Sequence, residues 1–236
     1  MSLNFTQICN KIDRACGTNS ATYTVANKTI DINLAQDEVL VEALKNNGWN
    51  VDDFNNTDNP IIKTDLNAGQ RSYSFILDGS GNRILDIYKV FVMDNSGVYQ
   101  EIKLVDQHGS SSSLTMTDGQ NTQGNVKEYD LTGNSIFLDL IPSYSKEDGL
   151  LVYINREMTY FQSTDTTKVS GVDPLCHDYL YLKPSYEYSR DKGLQNHETL
   201  FRDLQEAKKK VTTRYGSDGR QKNLVNRIVG LQQNNK

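Results

Sequence analysis

The stretch RSYSFILDGSGNRILDIYKVFVM, residues 71–93, decides the fold class of this chain. From Ser72 to Leu77, large apolar side chains alternate with smaller, mostly polar ones, and this period of two is typical of a β-strand. The glycine-rich segment 79–82 then leads into a second apolar run, 84–93. Residues 94–97 carry the next turn signal and precede a third strand pattern at 98–105, so the stretch predicts an antiparallel meander.

Two further strands are predicted after the meander, at 135–141 and 150–157. The segment 108–127 is rich in Ser, Gly, Asn and Thr and has no period, which predicts an exposed loop. The middle of the chain therefore predicts a small antiparallel sandwich or barrel.

Helical spacing precedes these strands. Apolar residues recur at helical intervals from Phe5 to Ala15, and Gly17 stands where a left-handed C-terminal cap is usual. A second helix is predicted from about Val25 to Asn47. Its apolar stripe consists of Ala26, Ile30, Leu34, Val41 and Leu44, and its polar face carries Asp31, Asp37, Glu38 and Glu42.

Helical spacing returns after Pro174. The pattern predicts one helix from Leu175 that is interrupted near Pro184 and resumes through Tyr188, a long helix at 194–215, and a short one at 224–231. Gly216 and Gly219 separate the last two. The order of helices, strands and helices predicts an α+β fold, in which N- and C-terminal helices pack together and carry an inserted β module.

The predicted organisation has three parts: N-terminal helices and a Trp- and Asp-rich loop at 1–67, an inserted β domain at 68–172, and C-terminal helices with a basic tail at 173–236. The net charge of the 236 residues is -5, but residues 201–236 carry nine basic and three acidic side chains. A tail of charge +6 therefore follows a body of charge -11.

Composition excludes several classes. No apolar run approaches the roughly 18 residues of a transmembrane helix, and residues 1–13 do not resemble a signal peptide, so we expect no membrane association and a protein that stays where it is made. Three cysteines, Cys9, Cys16 and Cys176, are typical of reduced thiols and predict no structural disulfide. We read Cys176 as a small buried residue at a helix start.

The chain lacks a strong catalytic signature. Gly79 and Gly81 lack the third glycine of a dinucleotide site, and the serines at 110–113 beside His108 lack a nucleophile elbow. Cys176 and His177 have no metal-binding spacing. The loop 52–58 is rich in oxygen ligands and leaves calcium as an alternative, although Gly and Glu are missing from the positions that a calcium loop requires. We therefore expect no enzymatic activity, no catalytic residue, no metal and no cofactor.

The basic tail is the one charge feature that stands out. Seven of its nine basic residues are candidate interaction residues: Lys208, Lys209, Lys210, Arg214, Arg220, Lys222 and Arg227. Three interpretations remain open: contact with nucleic acid, a solvated helix face, and docking onto an acidic protein surface such as a neighbouring copy.

Several short motifs together resemble one group of proteins. The motifs are Trp49-x-x-Asp52-Asp53-x-Asn55, Pro60, Thr64-Asp65-Leu66-x-x-Gly69-Gln70-x-x-Tyr73, Val105-Asp106, Gly133-Asn134-Ser135-Ile136, Pro142, Asp148-Gly149-Leu150, Val152-x-x-x-Arg156 and Pro174-x-x-His177-x-x-Leu180. This pattern resembles virion proteins of tailed bacteriophages, the head-to-tail connectors, which are also called adaptor or neck proteins. The resemblance covers about residues 22–215.

The resemblance implies a structural ring at the portal–tail junction, of about twelve copies, through which the genome passes. The implied partners are other copies of the chain, the portal protein, tail or other neck proteins, and the passing DNA. The implied location is the neck of the virion, after assembly in the host cytoplasm. The candidate interaction residues are Trp49, Asp52, Asp53 and those seven cations of the basic tail.

Two alternatives belong to other classes. The first is a β-sandwich recognition module of a phage tail or of a carbohydrate-binding protein, in which Tyr144, Tyr153 and Tyr160 stack on sugars. The second is a hydrolase that uses Asp52 and Asp53. Adjacent residues on an extended segment point to opposite sides, however, whereas a glycosidase needs two carboxylates that face one bond.

Overall fold

The computed structural model describes residues 2–45, 61–105, 122–132 and 135–233, and for 216–233 it describes the backbone only. The chain divides into two compact units. The helical unit comprises Met1–Asn55 and Met158–Lys236, and the sheet unit comprises Asn56–Glu157. The predicted α+β class, with strands inserted between N- and C-terminal helices, is confirmed.

Both ends of the chain supply the helices of the helical unit. The helices are α1 (Phe5–Cys16), α2 (Val25–Lys45), α3 (His177–Asp191) and α4 (His197–Gln233), and a short 3-10 helix, Pro174–Cys176, leads into α3. They enclose a common core, to which α1 contributes Ile8 and Ile12, α2 contributes Ile32, and α3 contributes Leu180. The predicted packing of N- against C-terminal helices is therefore confirmed, and each such side chain stabilises the fold by about 1.5–3 kcal/mol.

Helix α1 has a clear start and end signal in the sequence. The Asn4 side chain accepts a hydrogen bond from the Gln7 amide, and the Gln7 side chain accepts one from the Asn4 amide, which forms a capping box. At the other end, Gly17 adopts a left-handed conformation with φ +64°. This conformation confirms the predicted glycine cap. Glycine suits the position because any other side chain would be strained there.

The predicted apolar stripe of α2 is wrong. Ile30, Leu34 and Val41 are 59%, 52% and 50% exposed. The buried face is instead formed by Lys28, Thr29, Ile32, Ala35, Gln36, Val39, Leu40 and Ala43. Helix α2 carries apolar residues on two sides, so periodicity alone did not identify the side that packs.

The C-terminal helices are more continuous than predicted. Helix α3 passes through Pro184 without a break, and the Ser185 hydroxyl donates to the Tyr181 carbonyl at 2.7 Å. A proline inside a helix costs about 3 kcal/mol, and the burial of neighbours such as Leu180 and Leu182 offsets that cost. Helix α4 likewise continues through Gly216 and Gly219, since a helical glycine costs only about 1 kcal/mol.

The sheet unit contains one curled sheet of seven strands and one strand pair. The strands are β1 (Ile61–Leu66), β2 (Ser72–Ser74), β3 (Ile84–Met93), β4 (Tyr99–Leu104), β5 (Gln123–Gly124), β6 (Glu128–Thr132), β7 (Ser135–Leu138), β8 (Ile141–Pro142) and β9 (Lys146–Arg156). The large sheet has the order β1-β9-β3-β4-β6-β7-β2, and β5 pairs with β8.

Three features of this sheet differ from the prediction. The sheet is mixed, because β4 pairs with β6 in parallel and β5 with β8 likewise. Of the predicted meander, the pairing of β3 with β4 is confirmed, and Leu77 forms an antiparallel bridge with Arg83 across the predicted turn at 79–82. Strand β2 itself, however, pairs with β7 rather than with β3. Strands β1, β5, β6 and β8 were not predicted. Strand β1 pairs with β9, whose partner residues are more than 70 positions away, so local sequence does not specify it.

The unit boundaries also differ from the predicted ones. Strand β1 belongs to the sheet, although the prediction placed residues up to 67 with the N-terminal helices. Met158, Phe161 and Val172 are buried in the helical core, although the prediction placed residues up to 172 with the sheet. Among the described residues, no helix is both long enough and apolar enough to span a membrane.

Candidate interaction surface

The described part of the basic tail lies on α4, on the outer surface of the helical unit. Lys208, Lys209 and Lys210 are exposed and Arg214 is half-buried. Arg220, Lys222 and Arg227 lie further along the same helix, where the backbone alone is described. Trp49, Asp52 and Asp53, together with the possible calcium loop, fall outside the described residues.

Two of these cations pair with carboxylates of the same chain. Lys210 Nζ lies 3.3 Å from Asp178 of α3. Arg214 forms an ion pair with Asp173, whose side chain is 5% exposed. Arg214 thus contributes to the packing of the helical unit, and its predicted contact with a partner stays a prediction.

Asp173 connects the 3-10 helix to α4. Its side chain caps the 3-10 helix by accepting a hydrogen bond from the Leu175 amide at 2.8 Å, and it also accepts from Arg214. Its own amide donates to the Tyr215 hydroxyl at 3.4 Å. Burial raises the pKa of Tyr215, so this hydroxyl stays protonated. The contacts fix α4 against the segment that precedes α3.

A groove of about 580 Å³ lies between α2, α3 and α4. Its lining residues are Leu34, Asp37, Glu38, Val39, Val41, Glu42, Lys45, Tyr179, Lys183, Tyr186, Glu187, Phe201, Leu204, Gln205, Lys208 and Val211. All of these residues belong to the helical unit. The groove therefore contains Lys208 of the basic tail together with the acidic residues Asp37, Glu38 and Glu42 of α2.

The polar part of the groove is held by Glu38. Its carboxylate accepts hydrogen bonds from the Tyr179 hydroxyl and, at 2.6 Å, from Lys183 Nζ. Lys183 also lies 3.1 Å from Glu187. Burial would raise the pKa of Glu38, but the bonds from Lys183 and Tyr179 outweigh it and lower that pKa. Glu38 is therefore ionised and Lys183 is its counter-ion, and the pair holds α2 against α3.

The apolar part of the groove is exposed. Leu34 and Val41 of α2 line the groove together with Phe201 of α4, which is 46% exposed. Ile30 continues the row along α2 towards its start. Acidic side chains of the same helix also line the groove, so the groove is an amphipathic surface. Sequence reasoning missed it because Leu34 and Val41 were assigned to the packing stripe.

His177 and Cys176, which were considered as metal ligands, are both buried in the helical unit. His177 is 1% exposed; its Nδ1 accepts from the Leu3 amide at 2.9 Å, and its Nε2 donates to the Val172 carbonyl at 2.9 Å. These bonds need the neutral ring, and burial lowers the pKa of His177 accordingly. Burial raises the pKa of Cys176 to about 12, so the thiol is unreactive, as its predicted buried position implies.

The metal and sugar-binding alternatives concern acidic side chains and three tyrosines. In the described parts of the chain, no three His, Cys, Asp or Glu side chains are arranged to hold a metal ion. The tyrosines of the recognition alternative are engaged in the fold. Tyr144 donates to the Met93 carbonyl, Tyr153 packs on Phe91, and Tyr160, which belongs to the helical unit, donates to Asp37.

The chain was compared with protein-family models and with curated proteins. No protein-family model matches the chain, and no curated protein matches it significantly.

Proposed function

We propose that the chain is a structural ring component of the portal–tail junction of a tailed bacteriophage, where it joins head to tail and lines the DNA passage. The observation that carries the proposal is the architecture. Both ends of the chain build one helical unit, and a curled sheet is inserted between them. The resemblance in the sequence implies the same arrangement of a helical framework with a β insertion.

The surface of the helical unit supports an assembly role. A subunit of a ring needs two different surfaces, because each copy contacts its two neighbours through different faces. The unit offers an exposed apolar row on α2 and a helix α4 that continues to Gln233 with a basic sequence. These are surfaces of different chemistry on one chain.

The charge distribution fits a channel for DNA. Each contact between a cation and a phosphate releases counter-ions and strengthens binding, so a strongly basic wall would hold the genome. The charge of -11 before residue 201 acts in the opposite sense and favours passage. The described basic side chains Lys210 and Arg214 are partly neutralised by Asp178 and Asp173.

Mass photometry of the chain with the portal protein of the same genome tests the proposal. We expect a stoichiometric complex whose mass corresponds to a ring of about twelve copies on the portal. The matched control is a portal from an unrelated phage, which should bind no ring. A chain that stays monomeric and binds neither the portal nor tail proteins would contradict the proposal.

A further inference from the structure

We propose that the exposed row Ile30, Leu34 and Val41 of α2, together with Phe201, docks the C-terminal segment 220–231 of a second copy of this chain. The inference rests on the proposed ring and names one contact that would build it. It is carried by the spacing of the exposed residues, by the sequence of the segment and by the charges of both.

The row has the geometry of a helix-docking seam. Ile30, Leu34, Asp37 and Val41 follow one another at intervals of four, three and four residues, and the three apolar members are each at least half exposed. This heptad-like spacing aligns side chains along one line of a helix and is the spacing that receives a second helix in coiled coils. Phe201 of α4 provides a further apolar wall to the groove beside it.

The segment 220–231 has a matching pattern. Leu224, Ile228 and Leu231 follow at intervals of four and three residues, within a backbone that is helical through Gln233. The segment carries three basic residues and no acidic one. The sequence of the segment is therefore basic, and its apolar residues recur with the same period as those of the row on α2.

The charges of the two surfaces are complementary. Outside its buried face, α2 carries four carboxylates, on Asp31, Asp37, Glu38 and Glu42, and one cation, Lys45. Because Lys183 already compensates Glu38, three carboxylates and one lysine of α2 remain, an excess of two negative charges that attracts the three positive charges of 220–231. On the far side of the groove, Lys183 is already held between Glu38 and Glu187, at 2.6 and 3.1 Å. A basic helix thus meets an acidic flank next to the apolar row.

The occupant must come from another copy. Val211 of the same α4 lines the groove, and the helix continues without a break from there to Gln233. At 1.5 Å per residue, Leu224 lies roughly 20 Å further along the helix axis than Val211. The segment cannot return to its own groove unless the helix breaks. Because groove and segment are different surfaces, the contact is heterologous, and it builds a ring when the rotation between successive copies closes.

Cysteine cross-linking in the full chain tests the contact. Two variants, Leu34→Cys and Ile228→Cys, are prepared with tags of different mass and mixed under mild oxidation, with and without the portal protein. The native cysteines are buried and do not compete. The matched control replaces Leu34→Cys by Val98→Cys, an equally exposed residue (53%) of the sheet unit. We expect the mixed disulfide at about tenfold or more above the control, because docking raises the local thiol concentration.

The outcomes separate this contact from the proposed function. A mixed disulfide no more abundant than the control, in both conditions, overturns the docking contact; if the chain still assembles on the portal, the proposed function stands. A cross-link from Leu34→Cys to the portal, and not to the second copy, also overturns it. A strong mixed disulfide in a chain that never binds portal or tail proteins supports the contact and contradicts the phage function.

Discussion

The helical unit and the sheet unit each contain a buried cation paired with a carboxylate, but the two pairs differ in their contact with water. In the helical unit, Lys28 of α2 donates to both oxygens of Asp13 of α1, at 2.6 and 2.7 Å. In the sheet unit, Arg156 of β9 pairs with Asp78. The Asp13 side chain is 25% exposed, whereas that of Asp78 is 4% exposed.

This difference shows how the two units use a buried charge. Water reaches Asp13, so the carboxylate keeps part of its hydration without Lys28. Asp78 also accepts from the amides of Ser80 and Asn82, so it organises the turn 78–82 as well as the pair. Burial would raise the pKa of Asp78, but the bonds from Arg156 and Asn82 lower it. The sheet unit therefore depends more strongly on its pair.

The largest effect is expected from removing one member of the enclosed pair. Arg156→Met leaves Asp78 buried and uncompensated, which should lower the free energy of unfolding of the sheet unit by about 3–5 kcal/mol. Lys28→Met is the matched change in the helical unit and should cost about 1–3 kcal/mol, because Asp13 remains partly hydrated. Hydrogen exchange of peptides from β9 and α2 measures both. Equal losses in the two variants would contradict the comparison.

The two faces of α2 provide the next test. Ile32 is fully buried and Leu34, two residues later, is 52% exposed. Ile32→Ala should lower the free energy of unfolding of the helical unit by about 2–5 kcal/mol. Leu34→Ala should change it by less than about 0.5 kcal/mol. Urea denaturation of the purified variants measures the difference, and a large loss for Leu34→Ala would assign α2 the opposite packing face.

A glycine in the sheet unit gives a smaller effect. A Cβ atom at Gly149 would lie 2.7 Å from the Leu66 Cβ and 2.9 Å from the Lys146 carbonyl oxygen, where β1 and β9 change register. Gly149→Ala should therefore cost about 1–3 kcal/mol. Gly79→Ala is the control, because no heavy atom lies within 4 Å of its added Cβ. Thermal unfolding should separate the two variants, and equal melting temperatures would argue against this close approach.

The smallest effect is a difference in pH dependence between the units. The pKa of His177 in the folded chain is below its unfolded value of 6.5. The contribution of His177 to the free energy of unfolding is therefore complete above pH 6.5 and is lost as the pH falls. The helical unit should lose up to about 1.4 kcal/mol per pH unit over that window, down to the folded pKa. The pKa of Asp78 is lowered in the folded chain, so its contribution to the free energy of unfolding of the sheet unit is lost only when the pH falls below about 4.

Hydrogen exchange at pH 7 and pH 5, corrected for the intrinsic rates, should detect this difference. His177→Gln keeps one donor and one acceptor but does not titrate, so it should remove the loss in the helical unit. A helical unit whose stability is the same at pH 7 and pH 5 in the parent chain would contradict the assigned role of His177.

The sequence predicted the features that local chemistry determines. Asn4, Gln7 and Gly17 define the ends of α1, and the apolar run 84–93 with the turn at 94–97 indicates β3 and β4. The alternation at 72–77 correctly predicts that Tyr73 is buried in the sheet unit. In a strand, each residue lies on one of two faces, so an alternating pattern identifies the buried face. These assignments need no knowledge of distant residues.

The remaining features depend on partners that are distant in the sequence. The parallel pairing of β4 with β6, and that of β1 with β9, joins segments whose own patterns are weak. Helix α2 has two apolar sides, and only its neighbours α3 and α4 determine that Ile32 is buried and Leu34 is not. For the same reason the groove was not predicted, although the acidic side chains of α2 and the basic tail were both identified.

Electron cryo-microscopy of the purified chain bound to the portal of its own genome tests the proposed assembly most directly. We expect a closed ring on the portal axis in which each copy places its helical unit against a neighbour, with residues 220–231 of one copy in the groove of the next. Particles in which the chain is absent from the portal, or bound as isolated copies without contact between neighbours, would contradict it.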